Sequence, residues 1–277
     1  MYALVAIAAA LRARGSSQST PMFTEYSRVY DLIYRDKDYP GECDFLEQLF
    51  TRFGPKPTRS LLDVAAGTGS HALLLAQRGY QVTALDLSPE MAAIAERKLA
   101  AHGAPLPLSI RGGISMTSLP PLDRRFDAVL CLFSSIGYLT EDGQVEAFLD
   151  SAKGQLADDG ILVIDFWNGI TCLRDYSPVR VKSGADDTLS VTRISETTLS
   201  PMDGVAEVRF RFLMNVSGSH REHAEVHRVR YFFPRELTET CRRAGFEVLA
   251  VLPFKDASRA AHDGDWNITV VARRARP

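Results

Sequence analysis

Residues 61–88 read LLDVAAGTGSHALLLAQRGYQVTALDLS: a strand, a glycine turn, a helix and a second strand in succession. Leu61, Leu62 and Val64 make the short apolar run of a strand covered on both faces of a parallel sheet. Gly67 and Gly69 punctuate it, an apolar helix follows over 71–77, and Gly79 ends that helix. Residues 82–87 read as the next strand, which closes on Asp86, nineteen residues beyond Gly67. Glycine permits positive φ and lets a ligand approach the backbone. The start of the helix offers unpaired N–H groups. An acidic residue at the end of the second strand can accept two hydrogen bonds from a ribose diol. The stretch predicts a site for an adenosine-containing cofactor at the carboxyl ends of parallel strands.

Two cofactors compete for it. Gly67, Gly69 and Ala72 formally satisfy the dinucleotide spacing GxGxxG/A, which keeps NAD in play. Asp63 argues the other way, because a carboxylate just before the glycine turn repels a pyrophosphate. The same carboxylate suits S-adenosylmethionine, which carries a sulfonium and an ammonium and no phosphate. The sulfur cofactor is favoured.

DVAAGTGSH followed by ALDLS resembles the class I S-adenosylmethionine-dependent methyltransferases, whose first motif is (D/E)xxxGxG. YSRVYDLIY and LFSSIGYL are similar to segments of bacterial small-molecule N-methyltransferases, among them the N,N-dimethyltransferases of nucleotide-linked amino sugars. The resemblance spans roughly residues 22–274. It implies a doubly wound, mostly parallel seven-stranded α/β sheet whose last strand, over 268–272, runs antiparallel. It implies a cofactor site formed by Asp63, Ala65, Gly67, Gly69, Asp86 and Leu87, with Met91 bordering the adenosine. It implies that residues 23–39 close the active site and bring a tyrosine near the sulfonium. Tyr30 and Tyr34 are the candidates, on an aromatic stripe at helical spacing that also reads as ordinary packing. Where the family has Asp-Met against adenine, this chain has Ser115 and Met116. A serine accepts without charge, so that contact is weakened.

A chain of 277 residues supports one large domain or a domain with a cap. The formal charge of −2 gives no electrostatic case for nucleic acid or an anionic membrane. Cys43, Cys131, Cys172 and Cys241 have no metal-binding spacing, and they read as reduced thiols of a cytoplasmic protein. His220, His223 and His227 cluster on a strand-like segment, where a metal site is the less favoured reading. Residues 1–21 read as a dispensable extension. Oligomeric state stays open, a homodimer included.

Further along, residues 40–53 read as a helix, and Ser88 caps another that begins at Pro89. Residues 126–133, FDAVLCLF, are a buried strand. The residues at its end, Phe133, Ser134, Ser135 and Tyr138, lie where α/β sheets place ligands. A turn at 158–160 precedes a strand over 161–166, followed by Trp167 and Asn168, candidates for the acceptor pocket. The core is expected over 22–170 and 234–277. Between them, residues 171–233 alternate apolar and polar as an antiparallel sheet does, and imply a small β cap. Arg180, Arg193, Arg209, Arg211, Arg228 and Arg230 line this cap, either as a solvated face or as contacts to an anionic acceptor.

Methyl transfer from a sulfonium is an in-line displacement, and a neutral amine needs no strong base before attack. A hydroxyl usually needs a base or a metal, and the chain has no evident ligand set. The sequence therefore favours a small polar amine as acceptor, such as an amino sugar. O-methylation of a sugar or metabolite hydroxyl, with His227 or a tyrosine as base, is the alternative. His71 is expected to contact cofactor or backbone.

Overall fold

A computed structural model of the chain describes residues 24–276. The expectation for residues 1–21 and the side chain of Tyr26 lie outside what it describes. The order of elements is α1 (Thr24–Ile33), α2 (Tyr39–Phe53), β1 (Ser60–Val64), α3 (Ser70–Gln77), β2 (Gln81–Leu85), α4 (Pro89–Ala101), β3 (Leu108–Arg111) and β4 (Phe126–Cys131). A single 3-10 turn (Ser135–Tyr138) leads to α5 (Gln144–Gln155), β5 (Leu156–Trp167) and α6 (Gly169–Asp175). Four long strands follow, β6 (Val179–Ala185), β7 (Leu189–Ser200), β8 (Val205–Val216) and β9 (Ser219–Arg230). The chain ends with α7 (Pro234–Arg243), β10 (Phe246–Pro253) and β11 (Asn267–Arg274).

Seven strands form one sheet in the order β10-β11-β5-β4-β1-β2-β3. β11 runs antiparallel to both neighbours, and the other pairings are parallel, as the sequence implied. Apolar residues at both odd and even positions bury the sheet on two sides. Leu62, Val64, Val129, Cys131 and Ile164 face the layer built with α5 and α7. Leu61, Ala128, Leu130 and Val163 face α2 and α3. Both sides are fully covered, which explains the unbroken apolar runs in the sequence.

Two local expectations change. The N-terminal tyrosine segment is not one helix: α1 ends at Ile33, and Asp38 caps a new helix through the backbone N–H of Gly41. Tyr34 therefore lies in the intervening turn. The turn expected at 158–160 lies inside β5, as a bulge between the pairs Phe126–Leu156 and Ala128–Ile161. Gly160 is needed there, since a Cβ would come within 2.7 Å of the Phe126 carbonyl oxygen.

The strands β6-β7-β8-β9 form a separate antiparallel sheet. Its inner face sets Val191, Phe212 and Met214 against Val29 and Ile33 of α1 and Met91 of α4. At Gly184 the backbone passes so close to α1 that a Cβ would meet the Leu32 carbonyl oxygen at 2.7 Å. Cap and N-terminal helix thus share one apolar cluster. Phe212→Ala is expected to cost about 3 kcal/mol, the usual loss for a buried ring, read as a lower urea-unfolding midpoint. An unchanged midpoint would mean that this cluster does not hold the two together.

Candidate active site

The chain leaves β1 toward β2 on one side, and after β3 it crosses back to enter β4 on the other. At such a reversal the strand ends splay apart and open a crevice. The backbone at both rims is unusual. Ala65, Phe133 and Ser134 are non-glycine residues with φ of 58°, 58° and 57°. Each such residue costs on the order of 1–3 kcal/mol and needs its surroundings to hold it. Asp165 does so for Ser134: its Oδ2 accepts from the Ser134 backbone N–H at 2.9 Å and from Oγ at 3.2 Å. Gly67 has φ +59° with no atom within 4 Å of the place of its absent Cβ, so the backbone there faces open space. Gly69 serves packing instead: a Cβ would sit 2.8 Å from that of Ala95 in α4.

The crevice holds a cavity of about 210 Å3 joined to a smaller one of about 40 Å3. Tyr30, Ala65, Gly67, Phe133 and Ser135 line both. Asp86, Leu87, Met91 and Met116 form one end of the larger cavity, and Ser134, Tyr138 and Trp167 belong to its wall as well. Leu87 is 65% exposed beside it, an apolar side chain placed where a nucleoside would cover it. Both oxygens of Asp86 accept backbone N–H groups, from Gly67 at 2.7 Å and from Ser88 at 2.8 Å. A carboxylate has about four acceptor positions, so it can still receive ribose hydroxyls. Burial raises the Asp86 pKa, and those N–H groups oppose the rise.

Asp63 lines the smaller cavity and is 2% exposed. Burial first, and the Asp86 charge second, push its pKa up to about 7. Such a group gains from a cation and would be penalised further by a phosphate. The donor set thus fits a cationic amino-acid cofactor. Beside it, His71 Nε2 and Glu42 Oε2 are 2.7 Å apart, and Lys37 also bonds Glu42. Burial would raise Glu42, but His71 and Lys37 together hold it low, while burial pushes His71 down.

The N-terminal segment closes over this region. Asp31 accepts from Thr68 Oγ1 at 2.6 Å and from Lys98 Nζ at 3.2 Å, tying α1 to the glycine turn and to α4. The Tyr34 ring meets Phe133 edge-on at 5.2 Å, and its hydroxyl accepts from Arg193 Nη1 at 2.9 Å.

Several expected residues lie elsewhere. Ser115 does not line the cavity, and its hydroxyl pairs with that of Thr117 at 2.8 Å. Asn168 is wholly buried and lines none of the cavities: it caps α6 at Ile170 N–H and donates to the Asp265 carbonyl. His227 is 0% exposed and does not line the cavity, and its Nδ1 lies 2.9 Å from the hydroxyl of Tyr138, which does. Arg209, Arg211 and Arg228 are exposed, whereas Arg193 is buried. Sequence reasoning missed Asp165 and the cap residues Val208, Phe210 and Val229 that complete the wall. Asp165 carried one signal, an acid inside an otherwise apolar strand.

A methyltransferase-domain family model matches residues 61–160. The dTDP-3-amino-3,6-dideoxy-alpha-D-glucopyranose N,N-dimethyltransferase of Streptomyces fradiae is 33% identical over 231 residues, covering 81% of this chain and 84% of that protein. The chain belongs to the class I S-adenosylmethionine-dependent methyltransferases. The sugar N-methyltransferase KedS8 from Streptoalloteichus superposes with a TM-score of 0.73 at 27% identity, over 90% of this chain and 93% of that one. The S-adenosylmethionine-bound CalS10, an amino pentose methyltransferase from Micromonospora echinaspora, gives 0.68 at 25%, over 89% and 97%. The methyltransferase uses S-adenosylmethionine, and the NAD alternative falls. Among the described residues no helix is long and apolar enough to cross a membrane.

The raised Asp63 pKa makes donor binding pH-dependent. The carboxyl is protonated below about 7 in the free protein, while the cationic donor favours its ionised form. Calorimetric titration in buffers of different ionisation enthalpy should show proton release on binding below pH 7, and affinity that rises as pH passes through it. Folding responds in the opposite sense. Between 3.8 and about 7 the folded chain holds a proton that the unfolded chain has lost, so this contribution to stability falls as pH rises through that window. Asp63→Asn should weaken donor binding about tenfold or more, abolish the proton release, and make the free protein more stable at pH 8. Unaltered donor affinity would remove Asp63 from the site.

Proposed function

We propose that this methyltransferase methylates the amine of a small polar acceptor bearing an anionic group, with a nucleotide-linked amino sugar as the concrete case. A second chamber carries the reading. A cavity of about 580 Å3 lies under the cap and shares Tyr34, Phe133, Trp167, Val208 and Phe210 with the donor crevice. The charged groups lining it, among the described residues, are all cationic: Arg180, Lys182 and Arg193. Arg180 stacks on Trp266 at 5.1 Å, and Lys182 Nζ stands 4.7 Å from the centre of the Tyr34 ring. Guanidinium and ammonium groups among aromatic rings suit a phosphate or diphosphate joined to flatter, less polar moieties. The relatives named above act on amino sugars, one of them dTDP-linked, which supports the same acceptor class.

The cofactor, when bound, supplies a methyl already activated by a sulfonium. The protein aligns the acceptor and excludes water with α1 and the cap. The O-methylation alternative is less well supported. A hydroxyl is far less acidic than an ammonium and needs a stronger base, whereas His227 meets the cavity through Tyr138, whose own pKa burial pushes well above its ordinary value. A phenolate at neutral pH is therefore disfavoured.

Screening purified protein with S-adenosylmethionine against amino sugars, free and nucleotide-linked, should give N-methylated product by mass spectrometry. Arg180→Ala and Lys182→Ala should each raise KM about tenfold for the anionic acceptor, with little effect on a neutral amino sugar or on kcat. Methylation of hydroxyl acceptors alone would overturn the reading.

A further inference from the structure

We propose that Tyr138, His227 and Glu225 form a relay that removes the proton from the acceptor's ammonium group, with Tyr138 meeting the substrate and the other two positioning it. The inference rests on the amine reading above. Tyr138 Oη lies 2.9 Å from His227 Nδ1, and His227 Nε2 lies 3.0 Å from Glu225 Oε2. The polarity of these bonds follows from chemistry. A carboxylate only accepts, so His227 carries its hydrogen on Nε2. The relay takes the ring as neutral, so that Nδ1 accepts and Tyr138 donates to it. With its hydrogen committed, the phenolic oxygen can only accept from any further group. A hydroxyl in that state on a wall of the donor crevice suits a ligand that donates, as an ammonium does.

Backbone geometry brings the three together. Tyr138 ends the 3-10 turn that follows the left-handed Ser134. Gly137 lets β9 close on that turn, since a Cβ there would lie 2.7 Å from Val229 Cγ1 and 2.9 Å from the Arg230 carbonyl oxygen. His227 is 0% exposed and its ring packs edge-on against Phe210 at 4.8 Å. The surrounding titratable groups come from several elements. His223 of β9 bonds the other oxygen of Glu225 at 3.2 Å. Burial first, then the nearby Tyr34, Glu225 and Asp86, raise the Tyr138 pKa, and Arg193 of β7 opposes the rise. These influences keep the phenol protonated and make it a conduit for the proton.

An ammonium has no lone pair and cannot attack a methyl group. In the relay, one N–H proton passes to Tyr138 Oη as the tyrosine's own proton passes to His227 Nδ1. The resulting imidazolium lies against the Glu225 carboxylate. The freed nitrogen pair forms the new C–N bond while the S–C bond breaks, its electron pair staying on sulfur. The product is a methylated ammonium and a neutral thioether. After release, His227 returns its proton through Tyr138 to water entering the cavity, which restores the starting tautomer.

The test compares two acceptors, one ordinary aliphatic amine and one weakly basic amine that is unprotonated at neutral pH. Tyr138→Phe and His227→Gln should lower kcat/KM for the ordinary amine about 100-fold near pH 7, a general-base contribution of usual size. The loss should shrink as pH approaches the amine's own pKa, and it should be small for the weak base throughout. Glu225→Gln should fall between wild type and these variants. Long-range nitrogen–proton NMR of the wild-type protein should show His227 as the Nε2–H tautomer, a readout that needs no acceptor. Equal losses for both amines at every pH, or an Nδ1–H tautomer, would overturn the relay while leaving amine methylation in place. A wild-type protein that methylates no amine overturns both. Unchanged circular dichroism and donor titration in the variants separate these outcomes from misfolding.

Discussion

Strand β1 sits where the order of a parallel sheet reverses, and connections on its two sides leave toward opposite flanks. The carboxyl ends of β1 and β4 are therefore left uncovered by the helices that bury the rest of the sheet. That gap must hold polar backbone and, in a methyltransferase, a charged donor. The surrounding features answer this demand: a glycine turn open toward the gap at Gly67, the helix α1 tied to that turn through Asp31, and a cap sheet packed onto α1.

The two carboxylates on strands flanking β4 show what the arrangement costs. Asp63 of β1 and Asp165 of β5 are both buried deep in the sheet, and burial pushes each to about 7. Neither helps the free protein fold at neutral pH. Asp165 instead holds Ser134 in its left-handed conformation, and Asp63 lines the smaller cavity. Asp165 Oδ1 and Thr269 Oγ1, on directly paired residues, have no hydrogen-bond partner among the described residues. Stability is thus spent next to the reacting groups, and the apolar layers on both faces of the sheet offset it.

The donor half of the site was legible because its parts are local. Asp63, Gly67, Asp86 and Leu87 belong to one strand–helix–strand run, Met91 lies in the first turn of the helix that follows, and each residue type is tied to a backbone or charge requirement that spacing reveals. The strands of the cap were also legible, since alternation marks a half-buried sheet. What spacing does not reveal is register against a second element. His227 was read as a base because of its titration range, yet pairing with β8 and the approach at Gly137 bury it behind Tyr138. Arg193 and Arg209 are both arginines on alternating strands, and only the packing of α1 decides that one is buried and the other solvated. Ser115 fell at the right place in the chain, but its hydroxyl found a nearer partner in Thr117.

This difference in locality bears on how the site forms. The donor end is built from residues within about one βαβ unit, whose contacts close short loops. The cap-facing wall of the crevice needs Trp167, Phe210 and Val229, from three elements of two sheets, and it exists only once the cap has docked. Docking is held by the cluster around Phe212, by a second cluster that sets Ala206, Val208 and Tyr231 against Trp167, Cys172 and Trp266, and by close approaches at Gly184 and Gly137. These contacts join elements far apart in sequence, so the cap-facing wall depends on long-range closure that the βαβ end does not need.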